Sequence, residues 1–224
     1  MVLEFLRGGD FRGFIVSLLL SLPIVLLSLS VHETAHGYIA HKLGDPTAYN
    51  YGRLSLNPIK HIDPIGFLCM ILFGFGWAKP VPINTRYFKK PRRDMALTGI
   101  AGPISNLLLA VVFALLFKLV VVLLNLFPVT SWFGNSFFYW MTLFFNLGVS
   151  LNVTLAVFNL LPIPPLDGSR LVFAFLPPDK YFKFMRYERY ISIALMVALV
   201  LGLLDTPIFW LSNLVENLIY RFVF

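Results

Sequence analysis

Residues 14–36 read FIVSLLLSLPIVLLSLSVHETAH, an apolar run that leads directly into a metal-binding pattern. The 18 residues from Phe14 to Val31 include no charged residue, and a run of that length can cross a bilayer as a helix. The HETAH sequence at 32–36 places two imidazoles on one face of a helix, where both can bind a single Zn²⁺. Glu33 between them can accept a proton from a water on the metal. The stretch therefore predicts a hydrolytic metal site at the edge of a membrane.

The composition of the whole chain is typical of an integral membrane protein. Of 224 residues, 58% are hydrophobic and 13% are charged, roughly half the charged share of a soluble domain. No stretch is long and polar enough for a separate domain, so we expect one integral-membrane domain over 1–224, with a core at about 11–176 and C-terminal helices at about 180–224. The net charge of +7 does not indicate nucleic-acid binding, because the basic residues cluster in loops between apolar runs.

The apolar runs predict an all-α polytopic membrane protein with about five spans. We expect three core helices and two further helices, at about 11–43, 94–127, 137–161, 190–204 and 208–224. Residues 64–77 are apolar but too short to span, so they predict a re-entrant or interfacial segment. The closely spaced prolines of the KPVP sequence at 79–82 then favour an extended stretch.

The distribution of basic residues predicts the orientation of these spans. Nine Lys and Arg residues lie between positions 42 and 93, five lie between 170 and 189, and two precede the first span. The positive-inside rule therefore assigns 42–93 and 170–189 to the cytoplasmic side. Two crossings separate Lys42 from Pro162, so the ends of the first and third core helices face the same compartment. We expect the active site near that cytoplasmic face.

A catalytic zinc site requires a third protein ligand, and the sequence offers few candidates. Asp167 lies just past the third core span, and this topology brings it to the same face as His32 and His36. Irregular, proline-rich backbone at membrane depth is tolerated only beside protein or a water-filled cavity, and a carboxylate there requires a cation. The pattern favours Asp167, with His61 and Asp63 on the same side as the competing candidates.

The HETAH sequence and the NLLPIPPLDG sequence at 159–168 together resemble the site-2 protease family of intramembrane zinc metalloproteases. Further similarity to its compact prokaryotic branch lies in NPIKHIDPIG at 57–66, WAKPVP at 77–82 and AGPISN at 101–106. The resemblance covers about 15–175. It implies a core of three helices in a prokaryotic cell membrane, one Zn²⁺ per chain and cleavage of transmembrane substrates. The site residues that it implies are the zinc ligands His32, His36 and Asp167, with Glu33 as the base.

The resemblance also implies partners, namely single-pass membrane-protein substrates within the lipid bilayer. A substrate helix must unwind before its carbonyls become accessible, and residues 77–82 could hold the unwound stretch by strand addition. Asn159 is expected either to hydrogen-bond the substrate backbone or the oxyanion, or to cap or cross-link helices. The oligomeric state is not indicated.

Two alternatives to a protease are an inactive metal-binding membrane protein and an ion-handling transporter. The intact Glu33 argues against the first alternative, because a metal-binding protein without activity has no need of a base. A transporter needs a polar pathway through the membrane, whereas the ionisable residues of the core spans collect at one face, with Lys118 beyond it. The sequence therefore favours the protease.

Overall fold

The structure, a computed structural model, describes residues 11–73, 76–127, 131–176 and 186–224. The described residues are mainly helical, with one isolated bridge between Ile62 and Ala78. In chain order, the helices are α1 (Phe11–Lys42), α2 (Thr47–Asn50), α3 (Pro64–Phe73), α4 (Pro91–Leu126), α5 (Trp132–Leu160), α6 (Asp167–Phe175), α7 (Glu188–Val200) and α8 (Asp205–Val223). The predicted all-α fold is confirmed.

Three helices, α1, α4 and α5, are long and apolar enough to cross a membrane, as the sequence predicts for the core. Helix α5 begins at Trp132 rather than near residue 137, because the Ser131 side chain caps its start by accepting the Gly134 N–H at 3.2 Å. The predicted start of the C-terminal helices near residue 180 lies outside the described residues.

The expected total of about five spans needs correction at α7 and α8. These two helices meet at an 83° bend and are long and apolar enough to cross a membrane only when taken together. Helix α7 has 13 residues and is about 20 Å long, whereas the hydrocarbon core is about 30 Å thick. The described residues therefore supply three crossings, or four if the bent pair counts as one.

Helix α4 lies at the centre of the fold and packs against α1, α5 and α6. Its buried residues are largely small, which allows helices to approach closely in lipid. At the α4–α5 contact the Phe113 ring lies directly on Gly148, where a Cβ atom would be 2.3 Å from the ring. The core shared by α1, α4, α5 and α8 contains Ile24, Ala110, Phe113, Ala114, Val149, Val153, Val157, Ile219 and Val223.

Helix α8 runs alongside α5 and ends beside α4. The Tyr220 hydroxyl donates a hydrogen bond to Asn146 Oδ1 at 2.6 Å, and the Lys118 ammonium donates to the Val223 carbonyl at 2.6 Å. Lys118 interrupts an apolar span in the sequence without an evident partner there. The structure explains it, because its charge binds a carbonyl that the end of a helix leaves unpaired.

Helix α3 has 10 residues and is too short to span a membrane, and residues 79–82 are extended as the prolines predict. The re-entrant or interfacial position of residues 64–77 stays a prediction. The extended stretch is tied to the preceding loop by the Ile62–Ala78 bridge and by the Lys79 N–H, which donates to the His61 carbonyl at 2.8 Å. The buried Arg53 guanidinium donates to carbonyls on both segments. The two segments pack together against the C-terminal half of α1, which carries the HETAH sequence.

Candidate metal centre

The two histidines of the HETAH sequence project from one face of α1 into the interior. His32 is 5% exposed and His36 is 4% exposed, and their Nε2 atoms lie 3.0 Å apart. Helix α1 continues without a break from the apolar run through this sequence. It ends just before Gly44, whose φ of 107° only glycine adopts readily. The metal-binding spacing is therefore part of a membrane helix.

Asp167 reaches the same point from the start of α6. Its Oδ2 atom lies 3.0 Å from His32 Nε2 and 3.1 Å from His36 Nε2. Close packing of α6 on α4 at Gly99 permits this approach, since a Cβ there would lie 3.2 Å from the Asp167 carbonyl oxygen. The structure thus brings together the three predicted ligands, which form the one candidate metal group among the described residues.

The three side chains fit a zinc ion. Ligand atoms bound at 2.0–2.2 Å in a tetrahedral site lie about 3.3 Å from one another, close to the observed 3.0–3.1 Å. Gly102 of α4 leaves space beside them, because a Cβ there would lie 2.5 Å from both Nε2 atoms. Two imidazole nitrogens and one carboxylate oxygen are a donor set of catalytic zinc sites, with a fourth position open.

Contacts outside the ligand atoms orient the site. The His36 Nδ1–H donates to the Thr98 carbonyl at 2.7 Å, which leaves Nε2 unprotonated for a metal. The amide of Asn106 lies 3.3 Å from His32 Nδ1. Both contacts come from α4, so this helix supports the outer nitrogen of each imidazole.

The carboxyl of Asp167 is held in its ionised form. Burial by itself raises its pKa, but in the absence of a metal, hydrogen bonds from the Nε2–H groups of His32 and His36 outweigh burial and hold the pKa below its ordinary value; a zinc ion would replace those two protons. The Arg170 guanidinium lies 3.5 Å from the other carboxylate oxygen. An ionised carboxylate is the form that binds a metal.

Glu33 is half-buried and lies outside the ligand group. One of its carboxylate oxygens, Oε2, accepts the Val81 N–H at 2.9 Å. The neighbouring Thr34 hydroxyl donates to the Ser55 carbonyl at 2.8 Å. The loop between α2 and α3 and the extended stretch therefore both contact the turn of α1 that carries the predicted base, Glu33.

The competing ligand candidates, His61 and Asp63, make hydrogen bonds within their own loop and at the start of α3. The His61 Nε2–H donates to the Ser55 carbonyl at 2.6 Å, and the Asp63 carboxylate accepts the backbone N–H groups of Ile65 and Gly66 at the start of α3. Neither residue belongs to the metal group found among the described residues.

Asn159 lies near the end of α5, and its amide donates to the Leu155 carbonyl of its own helix at 2.9 Å. Within the described part of the chain, no hydrogen bond joins Asn159 to the three candidate ligands. Its contact with a substrate therefore stays a prediction.

Sequence reasoning missed the Thr98 carbonyl, which accepts from His36, since a backbone acceptor carries no residue-type signal.

A groove of about 730 Å³ lies between α5 and the C-terminal helices. It extends to Trp77 in the extended stretch and to Leu166, the residue before Asp167. Its walls are mostly apolar, with polar groups from both sides that include Ser150, Thr154, Ser192, Ser212, Asn213 and Glu216.

Comparisons with known proteins agree with this chemistry. A sequence model described as Peptidase family M50 matches residues 128–204. YwhC of Bacillus subtilis is 44% identical over 85% of this chain and 84% of its own length. Rip2 of Mycolicibacterium smegmatis is 34% identical over 69% and 56%, and Rip2 of Mycobacterium tuberculosis H37Rv is 30% identical over 84% and 71%. The names of these relatives describe them as zinc metalloproteases. The comparison with solved structures found no match.

Proposed function

The chain belongs to peptidase family M50, the site-2 protease family, and is an integral-membrane zinc metalloprotease; from this premise we propose that it cleaves membrane proteins in or near their transmembrane segments. The observation that carries the proposal is the position of the candidate ligands. His32 and His36 lie within the spanning helix α1, and Asp167 follows the end of the spanning helix α5. A site built on these helices acts where a transmembrane segment can reach it.

The proposal includes the side of the membrane. The basic residues at 42–93 and 170–189 flank the end of α1 and the start of α6. Under the positive-inside rule, both belong to the cytoplasmic side of a prokaryotic cell membrane. The metal centre therefore acts close to the cytoplasmic face.

The proposed ligands are His32 Nε2, His36 Nε2 and Asp167 Oδ2, with one ion per chain. Zinc held by these residues would supply a Lewis acid that lowers the pKa of water. Glu33 accepts the proton from the attacking water and returns it to the amine that leaves when the peptide C–N bond breaks. The hydrogen bond from Val81 holds the Glu33 carboxylate in place for both transfers.

The proposed substrates are single-pass membrane proteins that enter the groove between α5 and the C-terminal helices. An unwound transmembrane segment exposes apolar side chains and unpaired backbone groups together, and the mixed lining of the groove suits both. The extended stretch has few N–H groups free to pair with a substrate strand. Those of Lys79 and Val81 already donate within the chain, and Pro80 and Pro82 have none. Asn159, near the end of α5, is the proposed polar contact for the substrate backbone.

The test compares Glu33→Gln with wild type in bilayer nanodiscs, using a single-pass substrate, a zinc assay and mass spectrometry of the products. We expect Glu33→Gln to retain one zinc per chain and to lose about 10²- to 10⁴-fold in cleavage. Asp63→Asn, which changes a carboxylate outside the ligand group, is the control and retains both properties.

Two results would contradict the proposal. Wild-type cleavage by Glu33→Gln would exclude Glu33 as the base. Cut sites confined to a substrate's aqueous domains, far from its transmembrane segment, would exclude intramembrane proteolysis while leaving the zinc protease intact.

A further inference from the structure

Asn106 of α4 is a fully buried polar residue beside the candidate metal centre. Its relative exposure is 0%, and its amide lies 3.3 Å from His32 Nδ1. In this orientation Nδ2 faces the imidazole, and Oδ1 has no hydrogen-bond partner among the described residues. A buried carbonyl without a donor is destabilising and uncommon in folded proteins, so this orphaned oxygen needs an explanation.

An Nδ1–H group on His32 would supply the donor that Asn106 Oδ1 lacks. Its Nε2 atom points at His36 and Asp167, where the metal binds, so a ligand role requires the proton to be on Nδ1. An Nδ1–H group needs an acceptor, and the amide nitrogen opposite it can only donate. A half-turn of the Asn106 amide exchanges its two terminal atoms and sets Oδ1 opposite Nδ1–H. That rotation satisfies the imidazole and the orphaned carbonyl together.

Three residues of α4 face the two histidines of α1. Thr98, Gly102 and Asn106 follow one another at intervals of four, and therefore lie along one stripe of the helix. Thr98 accepts from His36, Gly102 leaves room beside both Nε2 atoms, and Asn106 contacts His32. Each imidazole thus has its own neighbouring residue on the antiparallel helix α4.

We propose that Asn106 is a positioning residue for the metal centre. Its side-chain carbonyl accepts the His32 Nδ1–H and holds the tautomer that presents Nε2 to zinc, as the Thr98 carbonyl does for His36. This role rests on the proposed function only through the assignment of His32 as a ligand. It concerns zinc affinity rather than the chemical step.

The test measures zinc affinity by chelator competition in Asn106→Leu, Asn106→Asp and the matched control Asn152→Leu. Asn152 is equally buried on α5, and its Oδ1 also lacks a partner within the described part of the chain, but its amide donates to the Gly148 carbonyl of its own helix. We expect Asn106→Leu to bind zinc about 10- to 100-fold more weakly. Asn106→Asp keeps an acceptor and retains wild-type affinity or better, and Asn152→Leu leaves it unchanged.

A second measurement reads the tautomer directly and does not depend on a stable leucine variant. The chain has four histidines, so ¹⁵N labelling of histidine with His32→Gln as the assignment control resolves the His32 ring. We expect zinc-loaded wild type and Asn106→Asp to show a protonated, hydrogen-bonded Nδ1. An unchanged zinc affinity in Asn106→Leu, or a wild-type His32 ring without a hydrogen-bonded Nδ1–H, would overturn the proposal.

These outcomes are separable from those of the proposed function. Wild-type protein that binds zinc through an Asn106-dependent His32 but cuts no membrane protein would reject intramembrane proteolysis alone. Full cleavage and full zinc affinity in Asn106→Leu would reject the positioning role alone.

Discussion

The Glu33 carboxylate accepts the backbone N–H of Val81 at 2.9 Å, across 48 residues of sequence. The proposed base is thereby held by the extended stretch rather than by its own helix. One oxygen takes this bond, and the carboxylate can still accept at its other oxygen. The contact couples the position of the base to the segment that borders the groove at Trp77.

Val81→Pro tests this coupling, because proline has no N–H to donate. Hydrogen bonds to charged groups contribute about 1.5–3 kcal/mol, so we expect cleavage to fall roughly 10- to 100-fold with zinc content unchanged. Lys79→Pro is the control, since Lys79 also precedes a proline and also donates its N–H, but to the His61 carbonyl. Equal losses in the two variants would show that the segment as a whole matters, and not the bond to Glu33.

Asp167→Ala removes the oxygen that lies between the two imidazoles. We expect zinc content after dialysis to fall well below one per chain, because two histidines alone leave a catalytic site incomplete. Metal analysis of the purified protein measures this. Asp63→Ala, which removes only the cap of α3, retains its zinc. One zinc per chain in Asp167→Ala would show that another residue is the third ligand.

Gly102→Ala inserts a methyl group 2.5 Å from both imidazole Nε2 atoms. We expect this variant to lose zinc and cleavage, since the added carbon displaces the ligands or the metal. The comparison is Gly148→Ala, whose Cβ meets the Phe113 ring instead. That variant should have a lower thermal stability, while its folded fraction still binds zinc. Zinc binding at wild-type affinity in Gly102→Ala would contradict the proposed position of the metal.

Lys118→Met removes the ammonium that binds the carbonyl of Val223 at the end of α8. We expect faster amide exchange over residues 219–224, because the helix end loses its one side-chain donor among the described residues. Hydrogen exchange with mass spectrometry measures this, and Lys118→Arg, which keeps a donor, should restore protection. Exchange at the wild-type rate in Lys118→Met would show that packing around Phe224 alone holds the helix end.

Much of the fold follows from local sequence, for a reason specific to membranes. A backbone in hydrocarbon must satisfy its own hydrogen bonds, so a long charge-free run has little alternative to a helix. This is why the runs of α1, α4 and α5 predict the observed spans. The prediction is weaker for α7 and α8, because hydropathy does not report the 83° bend between them, which falls where Gly202 has a φ of 70°.

The sequence by itself determined the pair His32 and His36, because residues four apart on one helix share a face whatever the rest of the chain does. It narrowed the third ligand to Asp167, His61 and Asp63, since the positive-inside rule assigns all three to one side of the membrane. Only the tertiary structure brought Asp167 to the imidazoles, where α6 packs on α4. The Thr98 carbonyl, the gap at Gly102 and the bond from Lys118 to α8 also depend on helix packing. Such contacts join residues distant in sequence, often through backbone atoms that every residue shares, so no local pattern encodes them.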